Sequence, residues 1–247
     1  MGLLDAEKYL PERATAGDPF GVKLREAIRE AADAECPLCH VLEHAELARM
    51  HWLAYEGLSD AGLRARLRQS GGFCPRHARM LYSAVADKTR NLSAIAQVQR
   101  ELSTIEIETL TGTRLGQGRR LRTSISRLVA ALRPSIACPA CVSADEARTR
   151  TAASLARDLA EPAGRELYAG SAGGLCRPHF LETLAAADDP DAATALIGKH
   201  VAGLQRDVDD LDEVLRKTDY RSAGEPKGAE QHAPLRSLLR FIGTWPR

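Results

Sequence analysis

The chain has 247 residues, 44% of them apolar and 27% charged, and 34 Lys and Arg against 33 Asp and Glu leave a formal charge of +1. That balance supplies no global positive field for nucleic acid, and no run of 18 apolar residues is present to cross a bilayer. Aromatics are only 4%, and Ala, Leu, Arg and Glu outnumber Val, Ile and Thr, so a large β-sandwich or barrel is excluded in favour of helices, in which Ala and straight side chains lose little freedom.

In chain order, residues 1–17 read as a flexible leader. They lack a basic segment followed by an apolar core, so they do not form an export signal, and the chain is expected in the cytoplasm, where thiols stay reduced. Helices are predicted over 18–34, 37–56, 59–69, 75–88 and 91–112, then over 117–133, 139–160, 162–170, 177–187 and 191–218. Apolar residues recur at helical intervals at Ile95, Val98, Leu102, Ile105 and Leu110, and again at Leu196, Val201, Leu204, Val208, Leu211 and Leu215. Gly57, Ser70-Gly71-Gly72, Gly116-Gln117-Gly118, Pro162, Gly173-Gly174 and Asp188-Asp189-Pro190 punctuate them. After a Gly- and Pro-containing link at 222–234, Leu235, Leu238, Leu239, Phe241, Ile242 and Trp245 make a short amphipathic segment.

The six cysteines expose an internal repeat. Cys36, Cys39, Cys74 and His77, each shifted by 102, become Cys138, Cys141, Cys176 and His179, and Gly71-Gly72 becomes Gly173-Gly174. Both copies read C-P-x-C, then 34 residues, then C-x-x-H, with no cysteine left over. The expected organisation is therefore all-α: a leader (1–17), a helical metal-binding unit (18–112), a second similar unit (113–219) and a tail (220–247). Each unit is expected to be held by its own Cys3His site, Cys36, Cys39, Cys74 and His77 in one and Cys138, Cys141, Cys176 and His179 in the other.

Three thiolates and one imidazole suit zinc in a closed tetrahedron, and two zinc ions per chain are expected. Prolines after Cys36, Cys74 and Cys138 favour the first helical position, which puts those cysteines at helix N-caps, where partial positive charge stabilises thiolates. An iron–sulfur cluster could use the same ligands, though Cys3His is uncommon for it. Disulfides are disfavoured by the reducing compartment. Cys36-Pro37-Leu38-Cys39-His40 matches the attachment pattern of c-type haem, but the second copy has Val142 in place of the histidine, and haem would leave Cys74 and His77 without a role.

The duplicated CPxC and G-[FL]-C-x-x-H motifs, with Asp219-Tyr220-Arg221 and Glu225-Pro226-Lys227-Gly228 in the tail, resemble an uncharacterised bacterial family, a domain of unknown function, over roughly residues 20–243. The resemblance implies a helical, metal-binding cytosolic protein and supplies no activity.

Other features have plainer readings. His40, His44 and His51 share a helical stripe and read as a solvated polar face in preference to a further metal or proton site. Arg114, Arg119, Arg120, Arg122, Arg127 and Arg133 fall in a stretch without acids, and an intramolecular match to Asp207, Asp209, Asp210, Asp212 and Glu213 is favoured over a protein partner or nucleic acid. The apolar tail segment is expected to dock in cis, with a partner contact as the alternative. No phosphate loop, dinucleotide fingerprint, HExxH motif or nucleophile elbow is present. The expected role is non-enzymatic, a scaffold or regulator acting through protein contacts. The alternatives are a redox- or metal-responsive thiol switch and an enzyme without a sequence signature.

Overall fold

The protein is described by a computed structural model over residues 19–32, 35–86, 92–222 and 224–243. The leader at 1–17 and Trp245 lie outside the described residues. Every regular element among the described residues is helical: α1 (Pro19–Glu30), α2 (Pro37–Tyr55), α3 (Ala61–Gln69), α4 (Pro75–Ala86), α5 (Leu92–Gly112), α6 (Arg119–Leu132), α7 (Pro139–Ala160), α8 (Pro162–Gly170), α9 (Arg177–Ala185), α10 (Pro190–Thr218) and α11 (Ala233–Ile242), with short 3-10 turns at Gly57–Ser59 and Ala229–His232. Helix starts follow the local chemistry. Proline opens α2, α4, α7, α8 and α10, where its missing N–H costs nothing. Asp60 and Asp189 cap α3 and α10, accepting from Leu63 N at 2.6 Å and Ala192 N at 2.8 Å.

The chain divides into two compact units that do not follow the sequence repeat. One joins Met1–His44 to Ala147–Arg247, and the other is Ala45–Glu146. The expected boundary at 112/113 falls inside the second of these. The reason is the length of two helices: α2 starts in the first unit and ends in the second, and α7 does the reverse.

In the first unit, Leu24, Ala27 and Ile28 of α1 share a core with Leu38 and Val41 of α2, Leu155 and Leu159 of α7, Tyr168 of α8, Leu175 in the loop before α9, and Leu196 of α10. Each large side chain so buried contributes roughly 1.5–3 kcal/mol before entropy is counted. Cys36 and Cys176 belong to the same core. The apolar recurrence marks α10 as a helix, but of its residues only Leu196 is fully buried and Leu204 and Leu211 are half-buried. Leu196 is buried, whereas Val201, Val208 and Leu215 are 49–66% exposed, and the buried residues further along are Gly203 and Asp207.

That exchange is explained by α11, which packs on α10 and α9 with its charged side inward. Arg236 and Arg240 are buried, and both donate to the buried Asp207 carboxylate, Arg236 Nε at 2.7 Å; Arg236 also pairs with Asp210. Leu235, Leu238, Phe241 and Ile242 point outward, each at least 50% exposed. The tail segment does dock in cis, as expected, but through ion pairs, with its apolar stripe outward.

The second unit gathers Met50, Leu53, Leu58, Leu63, Leu67, Leu81, Val85 and Val98 around Cys138 and Ala140. Here α6 runs beside α5 and buries no residue: Leu121, Ile125, Val129 and Leu132 are 37–44% exposed. The acidic run of α10, expected to match these arginines, has partners within its own unit. Asp207 pairs with Arg236 and Arg240 and Asp210 with Arg236, all from α11, which packs on α10, and Glu213 pairs with Arg216 and Lys217 one turn further along α10 itself.

Candidate metal centres

Four helices present cysteine at their first turn. The carbonyls of Cys36, Cys74, Cys138 and Cys176 accept the first helical hydrogen bonds, from His40, Ala78, Val142 and Phe180 at 2.8–3.2 Å, so each of these cysteines occupies an N-cap. The second member of each motif, Cys39, His77, Cys141 or His179, lies three residues on, over the same side of the first turn.

The eight residues form two groups: Cys36, Cys39, Cys176 and His179, and Cys74, His77, Cys138 and Cys141. The expected grouping, one set per sequence repeat, is therefore corrected. Each group takes its CPxC pair from one repeat and its CxxH pair from the other, and each lies wholly within one compact unit. The chain between the two halves is correspondingly long: Cys39 and Cys176 are 137 residues apart, Cys74 and Cys141 67, against 35 between Cys39 and Cys74 (74 minus 39). Closing the longer of these loops costs about 1 kcal/mol more than the in-line loop. Packing must outweigh that, and it does so because Leu38 and Leu175, next to the ligands, are fully buried in one core.

The donor atoms of each group all lie within 4.8 Å of one another. Cys39 Sγ is 3.8 Å from Cys176 Sγ, and His179 Nδ1 is 3.3–3.4 Å from the sulfurs of Cys36, Cys39 and Cys176. In the second group Cys74 Sγ is 3.6 Å from Cys141 Sγ, and His77 Nδ1 is 3.2–3.7 Å from its three sulfurs. A tetrahedral ion with metal–sulfur bonds near 2.3 Å and metal–nitrogen bonds near 2.0 Å has edges of roughly 3.8 Å and 3.5 Å, so both groups fit a single ion. Sulfurs in a disulfide are roughly 2.0 Å apart, and all six cysteines are free.

Electrostatics point the same way. Burial pushes the Cys36 thiol well up, while hydrogen bonds from Cys176 and Cys36 hold Cys39 far below the ordinary thiol range. Burial opposes charge on His179, but Cys176 and Cys39 raise it to about 10. In the second group burial and then Cys74 push Cys141 up to about 12. Burial also raises Cys74, yet its hydrogen bonds with His77 and Cys141 bring it down to about 7. Three thiols converging on one imidazole cannot all ionise against a single positive charge, and a divalent cation removes that conflict.

Sequence reasoning missed two supporting residues. His77 Nε2 donates to Glu46 Oε1 at 2.7 Å, which leaves Nδ1 facing the sulfurs, and Arg76 pairs with the other carboxylate oxygen. This carboxylate is the first cause of the rise of His77 to about 9. A carboxylate behind a histidine ligand fixes its tautomer and strengthens it as a donor. The position 102 further on is Arg148, paired with Glu182 at 2.9 Å, so the support is not repeated. The second is Gly243, just after α11. A Cβ there would lie 3.3 Å from Cys39 Sγ and 3.4 Å from Cys176 Sγ, and its φ is +84°. The backbone of the tail thus lies against two sulfurs of the first group. Neither residue carries a local signal, since both act through tertiary contact.

His40 is exposed and meets His44 edge to face at 4.4 Å, while His44 and His51 are half-buried. Among the described residues none of the three joins either donor group.

The chain belongs to a family of unknown function, DUF6062, whose model matches residues 20–247. Neither a curated protein nor a solved structure matches it. Among the described residues no helix is long and apolar enough to cross a membrane.

Proposed function

We propose that the protein is a two-zinc helical scaffold or regulator of the cytoplasm that acts through protein contacts and without catalysis. The observation that carries this reading is the completeness of the two donor sets. Three sulfurs and one nitrogen at tetrahedral spacing around each centre would fill the coordination of zinc, leaving no position for substrate. Zinc bound there would supply folding free energy, and the residues that hold it are the eight named above. The outward apolar face of α11 and the partly exposed stripe of α6 support a role in protein contact.

A redox-responsive switch is the second reading, favoured by one feature. Cys74 and Cys141 are only half-buried, and Cys74 sits near 7, properties of reactive thiols. The test is metal content by native mass spectrometry, followed by a peroxide titration with a chromogenic chelator. The scaffold reading expects two zinc ions retained at low micromolar peroxide. Release at that dose, reversed by a thiol reductant and accompanied by loss of helix, overturns it in favour of the switch. Protein purified under reducing conditions with no metal overturns both.

A further inference from the structure

The first unit contains a cleft of about 320 Å³ between the end of α8, the 171–174 loop and α10, and four cationic side chains line it: Arg165, Lys199, Arg206 and Arg240. None of its lining residues is acidic. The remaining wall of α10 is alanine and glycine, which leaves room for a ligand to approach the backbone. Arg240 is balanced from behind by Asp207, and Arg165 lies 3.6 Å from the exposed Asp191 while donating to the carbonyls of Leu159 and Ala160. Lys199 is different. Its Nζ donates to the carbonyls of Ala169 at 3.2 Å and Ser171 at 2.6 Å and lies 5.2 Å from the Tyr168 ring centre. Burial, then the nearby Arg206 charge, holds its ammonium below the ordinary lysine range. Four cations, two of them also paired with Asp207 and Asp191 outside the cleft, thus line a wall that contains no acidic residue, and an anion bound there would complement them.

We infer that this cleft is a binding site for a small soluble polyanion, a molecule bearing phosphate or two or more carboxylates, held by Lys199 and Arg206 with Arg165 at the rim. The volume is at the small end for ligand sites, which suits a compact metabolite and excludes a polymer. The site is separate from the eight metal ligands, so its presence does not depend on the scaffold reading. The 171–174 loop runs directly into Leu175 and Cys176, so an occupied cleft also steadies the segment that carries a ligand of the first metal group.

The test is calorimetric titration of the metal-loaded full chain with pyrophosphate and, separately, with citrate at constant ionic strength. Saturable binding of either anion at one site is expected, weakened by about tenfold or more in Lys199→Gln and in Arg206→Ala, the loss of one charge-assisted contact. Lys199→Gln retains a donor for the two carbonyls, and Arg206→Ala leaves Lys199 in place, so at least one folded variant reports. Arg127→Ala, a change in the exposed basic helix of the other unit, should bind like the parent. No saturable binding of either anion overturns the inference, as does equal weakening in Arg127→Ala, which would mark diffuse attraction to arginine.

Discussion

The two metal groups use the same ligand types from the same repeated motifs, yet their surroundings differ. The group at Cys36, Cys39, Cys176 and His179 is set in an apolar core, and the backbone of Gly243 lies against two of its sulfurs. The group at Cys74, His77, Cys138 and Cys141 is more open and relies on Glu46 behind its histidine. Both centres adjoin an apolar core, but one has the tail backbone against its sulfurs and the other a polar partner behind its histidine. Repeated sequence therefore fixes what a ligand is, while the chain around it determines how firmly it is held.

The crossed ligand assignment gives the largest effect. Cys36→Ser with Cys176→Ser strikes one group and should leave one metal per chain, whereas Cys36→Ser with Cys74→Ser strikes both and should leave none. Ligand sets confined to single repeats would give the reverse, so native mass spectrometry of the two double variants decides between them. Each lost metal should cost several kcal/mol, below the order of 10 kcal/mol seen for zinc in small peptides, because a helical core remains.

Next comes the ion cluster that seats α11 beside the first group. Asp207→Ala strands Arg240 in a buried site, leaves Arg236 its pair with Asp210, and should destabilise the first unit by about 3–5 kcal/mol, measurable by denaturant unfolding. The same carboxylate sets a pH dependence. Burial raises its pKa, but hydrogen bonds from Arg240 and Arg236 outweigh that and leave it below the ordinary aspartate value. Its contribution is fully present above the unfolded pKa of roughly 3.9 and declines as pH falls through the lower folded value. Tail detachment should therefore be confined to pH below about 4, and hydrogen exchange of α11 amides across that range checks it.

Glu46→Gln sharpens the contrast at smaller scale. It removes the charge behind His77 and should weaken metal binding at the second group by about 10–100-fold, with the first group unchanged, as read by chelator competition. An equal loss at both groups would contradict the asymmetry. The smallest effect expected is that of Gly243→Ala. A side chain at φ +84° with sulfurs at 3.3 and 3.4 Å should cost about 1 kcal/mol and speed metal extraction from the first group alone. His40→Ala should leave both metals bound.

The helices, their proline-marked starts and the eight Cys and His side chains that gather into two groups able to hold an ion were legible in the sequence, because periodicity, capping and ligand spacing are local. The N-cap positions of Cys36, Cys74 and Cys138 followed from a single neighbouring proline. Which CPxC pair meets which CxxH pair was not legible: both arrangements satisfy the spacing, and the choice is made where α2 and α7 each run from one core into the other. The α10 recurrence marked the helix and not its buried side beyond Leu196, for a related reason. Its buried side faces an arginine-bearing helix, so Gly203 and Asp207 are the residues that fit there. Glu46, Gly243 and the cationic cleft depend on side chains brought together from distant parts of the chain. Local sequence therefore determined the elements and the donor chemistry, and only tertiary packing decided the pairing, because the free energy that selects among crossed and in-line closures resides in contacts between distant residues.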